Sequence, residues 1–294
     1  MSHPQWTILF ALCCPLTLGC ATDAPDRSAS PLTIAVGPVT FEAPVTKSPE
    51  IYTFENRPDA EMDRQLLPIL INDIEVIAQR IYTEQLATHP GIRVIPFDET
   101  RRLLADIRSD GKPLTEAQIQ TLGQQTGADH VVTGLIHDYG AVRWQYWVSG
   151  WLAHASVEGA IVGLATAWNP AALAAYMAID LATDLPIWYG GAEIFGWAFR
   201  PVRLHLDAIQ VKPCPGEIWS RDELVVRVPG KRLAEYPKDQ QHLKHVQLEA
   251  NLHKAVEELA VEAADALNVQ PCLENGKAKP LRGFSWASLF DLLL

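Results

Sequence analysis

The chain changes its hydrophobic rhythm several times, and each change marks an element. Leu32 to Phe41 (LTIAVGPVTF) is almost continuously apolar, which predicts a first strand covered on both faces. Leu66, Leu70, Ile74, Ile77 and Ile81 then recur at steps of three and four, predicting a helix over Leu66 to Leu86 with one apolar face. Pro68 must occupy its first turn or kink it, and His89-Pro90-Gly91 breaks it. Ile92 to Pro96 reads as a short strand, and Asp98 as the cap of a helix over Glu99 to Ile107. Thr115 and Gln118 have capping-box spacing and open a helix to Gln125. Gly127 ends it, and Asp129 to Ile136 is a strand. Val202 to Val211 (VRLHLDAIQV) alternates with period two, and after a Pro/Gly turn Glu217 to Val228 makes another strand. A last long helix over Leu243 to Leu267 has the stripe Leu252, Val256, Leu259, Ala263 and Leu267. The succession predicts an α/β domain built from residues 32–141 and 202–270. The segment 271–294 is an apolar tail; its stretch from Leu281 to Leu294 should dock on a core, a neighbouring subunit or lipid.

Residues 142–201 break the rhythm. This stretch is rich in Trp, Ala and Gly and holds Trp144, Trp147, Trp151, Trp168, Trp188 and Trp197, six of the nine tryptophans. No residue from Gly159 to Ile179 is charged, and no Lys or Arg occurs from Trp144 to Phe199. Asn169-Pro170 interrupts the run, favouring two short helices over one spanning helix. The acids are Glu158, Asp180, Asp184 and Glu193. Three readings stay open. The block is a helical hairpin dipping into a bilayer, with tryptophans at the interface and small residues in the helix contact; or it is a subunit interface; or it is a buried helical subdomain. Most of it lacks the alternation of a membrane β-hairpin.

The amino terminus supplies the other half of the functional argument. Trp6 to Leu18 is apolar, Gly19 is small, and Cys20 is followed by a Ser/Pro/Asp/Ala-rich tether. This is the layout of a lipoprotein signal: residues 1–19 removed, Cys20 lipidated and carrying palmitate, residues 20–31 a tether. Two features depart from it. Met1 to Gln5 has no Lys or Arg, and Thr17 stands where Leu is usual. The other reading is an uncleaved apolar segment, short for a span.

Export would place the protein in an oxidising compartment. Of the five cysteines, Cys13 and Cys14 fall in the signal and Cys20 takes lipid, leaving Cys214 and Cys272 as a candidate disulfide or as two free thiols. The net charge of −11 without basic clusters gives no footprint for nucleic acid or for anionic lipid.

GADHVVTG (Gly127 to Gly134), LHLDAIQVKPCPGEIWS (Leu204 to Ser220) and the closing Ala/Leu/Glu-rich helix resemble the periplasmic domain of the CsgG-like lipoproteins. That group includes curli-secretion channels, lipoprotein activators of penicillin-binding proteins and the related TolB amino-terminal domain. The resemblance implies a mixed sheet with helices packed on it, interrupted here by the mainly helical apolar block. It implies a scaffold, activator or export pore rather than an enzyme, and it carries over one functional residue, Cys20. Ala21 after that cysteine resembles the sorting signal for the outer membrane.

The expected function is therefore a lipid-anchored scaffold or assembly protein on the periplasmic face of the bacterial outer membrane. Its partners are the membrane through anchor and block, and a protein or further copies of itself. No catalytic residue, metal site or cofactor is expected. His242, His245 and His253 read as a solvated helix face, and His130 and His137-Asp138 as strand-end polar residues. Rival readings are a secretion pore subunit and a hydrolase using His130 or His137 under an apolar lid.

Overall fold

The computed structural model describes residues 31–107, 111–188, 193–194, 197–212, 215–269 and 281–284. Cys20, Cys214 and Cys272, with the lipidation and pairing expected of them, lie outside these residues. The strands are β1 (Leu32–Phe41), β2 (Ile92–Val94), β3 (His130–Tyr139), β4 (Glu193–Ile194), β5 (Trp197–Gln210), β6 (Gly216–Arg227) and β7 (Leu281–Phe284). They form one mixed sheet in the order β2-β1-β3-β5-β6-β7, with β4 paired to β5. β2, β1 and β3 run parallel, β5 is antiparallel to β3 and to β6, and β7 is parallel to β6. Part of the apolar tail thus docks on its own sheet, with Leu281 opposite Trp219.

The helices are α1 (Ala60–Ala87), α2 (Phe97–Ile107), α3 (Glu116–Thr126), α4 (Trp144–Ala165), α5 (Pro170–Trp188), α6 (Gly230–Leu233) and α7 (Lys244–Val269). α1 starts earlier than its apolar stripe predicts, because the Asp59 carboxylate accepts from the amides of Glu61 and Met62 at 3.0 and 2.8 Å. Pro68 consequently lies inside the helix, on its exposed side. α3 has the expected capping box at Thr115 and Gln118, and Gly127 closes it with φ 68°. Asp98 is not a cap, since α2 begins at Phe97 and takes Asp98 into its first turn, where an acid favours the helix dipole.

The larger core lies between one sheet face and the pair α1/α7. Val36, Ile136, Leu204 and Leu206 meet Tyr82, Leu86, Leu252 and Leu259 there. α2 and α3 cover part of the opposite face, with Ala35, Val131 and Val211 against Leu104, Ile119 and Leu122. β1 is therefore buried on both sides, as its continuous apolarity predicts.

The rest of that second face is half open. Leu135, His137, His205, Asp207, Ser220 and Asp222 are half-buried and alternate with residues of the main core. The β3–β5 register runs from Ile136↔Leu204 to Asp138↔Arg203, so His137 stands in a β-bulge. Bulges re-aim the side chains they carry.

Candidate functional site

Between β3 and β5 the chain leaves the sheet as two helices, α4 and α5, packed against each other. Polar groups buried at the facing ends of β3 and β5 fix where they leave. Asp138, fully buried at the end of β3, accepts from Arg203 Nε of β5 at 2.6 Å and from the backbone amide of Arg143, the residue before α4, at 3.1 Å. Arg143 also donates to the Glu42 carbonyl at 2.7 Å. Asn251 of α7 donates to the carbonyls of Arg200 and Val226, securing the strands beneath the returning chain. Val142 and Val226, with Val148, Trp151 and Phe199 around them, fill a small apolar cluster at this root.

The tip is a turn from Thr166 to Asn169. Ala167 and Trp168 adopt φ 49° and 58°, a left-handed conformation rare for bulky residues. Gly163 makes this possible, because a Cβ there would stand 2.7 Å from the Trp168 ring. The Asn169 side chain then caps α5 by accepting from the amides of Ala171 and Ala172 at 3.0 and 3.3 Å, with Pro170 at the first helical position.

The hairpin has an unusual outer surface. Leu152, Val157, Ile161, Leu164, Trp168 and Ile179 project from it with exposures from 51 to 72%. Two of its acids, Asp180 and Glu158, turn the other way. The Asp180 carboxylate, buried, accepts from Trp151 Nε1 at 2.8 Å, and Glu158 accepts from the Tyr176 hydroxyl. These two acids thus join the helices to each other, and the exposed side chains named above are all apolar. Exposed apolar patches of this kind mark contact with lipid or another protein. Among the described residues no helix is long and apolar enough to cross a membrane.

The six tryptophans singled out in the sequence do not form one cluster. Trp144 opens α4 and is exposed at the base, Trp151 is tied to Asp180, and Trp168 is exposed at the tip. Trp147 lies on α4, Trp188 ends α5, and Trp197 begins β5.

The histidines separate as well. His242 is exposed in the turn before α7, so it shares no helix face with His245, which stacks on Tyr52 at 3.9 Å. His130 and His137 lie at opposite ends of β3 and cannot act together.

His137 instead meets two residues that no local sequence pattern marks, His205 of β5 and Asp222 of β6, and Asp207 of β5 stands beside His205. His205 Nε2 is 3.0 Å from Asp207 Oδ1, and His205 Nδ1 is 3.3 Å from Asp222 Oδ1. Hydrogen bonds to Asp207 and Asp222 push the His205 pKa up to about 10. Burial, aided by the charge of Arg203, holds His137 below the usual histidine range. Burial alone would raise the Asp222 carboxyl, but the hydrogen bond and charge of His205 outweigh it and keep it low.

No protein-family model matches the chain, and no curated protein matches it. Among solved structures it is similar to the LpoB C-terminal domain from Salmonella enterica, at 7% identity over 68% of this chain and 86% of that one, TM-score 0.26. It is also similar to hypothetical protein CT253 from Chlamydia trachomatis, at 8% identity over 81% and 99% of the two chains, TM-score 0.37. A third is lipoprotein GNA1162 from Neisseria meningitidis, at 13% identity over 80% and 99%, TM-score 0.30. Likeness of this degree brings no function with it.

Proposed function

We propose that this protein is a non-enzymatic envelope scaffold held on the periplasmic face of an outer membrane. Cys20 carries the lipid, and the α4–α5 hairpin is the second contact, lying in the interfacial layer of the bilayer. The observation that carries this reading is the exposed apolar surface of the hairpin, while Asp180 and Glu158 are used between its own helices. A buried subdomain would not leave Leu164 and Ile161 in water. A soluble surface helix would place charges outward.

Magnitudes explain why two contacts are needed. Burying six side chains already partly covered contributes about 1 kcal/mol each, on the scale of 1.5–3 kcal/mol for full burial. About 6 kcal/mol corresponds to a dissociation constant between millimolar and micromolar, which is reversible attachment. One acyl chain is likewise reversible, and the two together hold. The net charge of −11 makes the contact apolar rather than electrostatic, so zwitterionic vesicles should suffice and salt should not release the protein. The sheet domain then stands as a platform for a protein partner.

The test is flotation of the Cys20→Ser chain with phosphatidylcholine vesicles, with and without Leu164→Asp and Ile161→Asp. Binding that persists in 1 M salt and falls at least tenfold in the double variant supports the reading. A Cys20→Ser chain that stays with the aqueous fraction overturns the hairpin's part. Brominated lipid should quench Trp168 at the tip more than Trp144 at the base.

A further inference from the structure

Away from the hairpin contact surface, three neighbouring strands bring metal-binding side chains together on the half-open sheet face. One ligand atom from each of His137, His205 and Asp222 lies within 4.8 Å of the other two. His205 and Asp222 are direct cross-strand partners, and the bulge in β3 sets His137 beside them. The two imidazole rings are 5.7 Å apart, centroid to centroid.

Each imidazole also has a carboxylate on one nitrogen. Asp207 Oδ1 is 3.0 Å from His205 Nε2. Glu42 Oε2 is 3.3 Å from His137 Nδ1, without the alignment of a hydrogen bond. With Asp207 on Nε2, His205 has Nδ1, on the Asp222 side, for a shared ion. A carboxylate behind an imidazole fixes the tautomer and ring orientation of metal-binding histidines. We infer that His137, His205 and Asp222 form a binding site for a divalent transition metal of the zinc class, with Asp207 orienting the His205 imidazole and Glu42 beside that of His137.

The geometry is compatible with closure on an ion. Zinc–nitrogen and zinc–oxygen bonds of about 2.0–2.2 Å place tetrahedral ligands about 3.3 Å apart. The three side chains are only partly buried, so side-chain rotation can close the remaining distance. Imidazole ligands select zinc, cobalt or nickel over magnesium and calcium, which prefer oxygen. Three protein ligands leave a position for water or a small anion. A cavity of about 350 Å³ has Asp207 in its wall beside Thr133, Leu135 and Ile209, and the three proposed ligands lie outside its lining.

The experiment is titration of the untagged chain with Zn²⁺ by calorimetry and with Co²⁺ by visible absorption, in the presence of millimolar Mg²⁺. We expect one equivalent bound and a cobalt d–d band. His137→Ala and His205→Ala should each weaken binding at least tenfold and abolish the band, and Asp207→Asn should weaken it 10- to 100-fold. His245→Ala and His253→Ala should change nothing. Asp222→Asn, nearly isosteric, repeats the test should an alanine variant misfold by circular dichroism. No stoichiometric binding, full displacement by Mg²⁺, or binding indifferent to His137→Ala and His205→Ala would overturn the assignment.

Discussion

Two long helix pairs in this molecule use apolar surface in opposite ways. α1 and α7 bury theirs, with Tyr82, Leu86, Leu252 and Leu259 against the sheet, and turn charge outward, including the Arg232–Glu257 and Arg221–Glu262 ion pairs. α4 and α5 invert that plan, spending Asp180 and Glu158 between themselves and presenting Leu, Ile, Val and Trp to the outside. The contrast separates apolar content from core membership. An amphipathic stripe announces a helix that packs on its own domain, whereas a helix apolar all round needs an environment the chain does not supply.

Substitutions can break the contrast, beginning with the largest effect. Asp138→Ala strips Arg203 of a buried partner and should cost about 3–5 kcal/mol, read by urea unfolding. Leu259→Ala on α7 should cost about 2–5 kcal/mol by the same assay. Leu164→Asp on α4, a comparable apolar position by sequence, should change stability by less than about 0.5 kcal/mol. A loss of several kcal/mol there would mean that Leu164 belongs to a core. Asn169→Ala should cost about 1 kcal/mol by removing the cap of α5. Ala167→Gly should raise stability by up to about 1 kcal/mol, because the left-handed turn no longer crowds a Cβ. Thermal denaturation resolves these last two.

What could be read from the chain followed from local physics. The stripes of α1 and α7, the Thr115–Gln118 box, the alternation in β5 and the helix break at Asn169-Pro170 each act within a few residues. Cross-strand register does not. His137, His205 and Asp222 meet only because β5 lies between β3 and β6 and β3 bulges at His137. The polar positions of LHLDAIQV were visible, but not what stood opposite them. The Asp138–Arg203 pair and the early start of α1 at Asp59 were hidden for related reasons. One needs tertiary register, and the other depends on a cap lying upstream of any apolar periodicity.

Asp138 closes the β3–β5 ladder and, through the Arg143 amide, seats the first turn of α4. One carboxylate therefore works as a hinge pin common to the platform and its protruding arm. His137 is one residue along the same strand, so removing this carboxylate is expected to loosen the seat of the hairpin and the backbone beside His137 together.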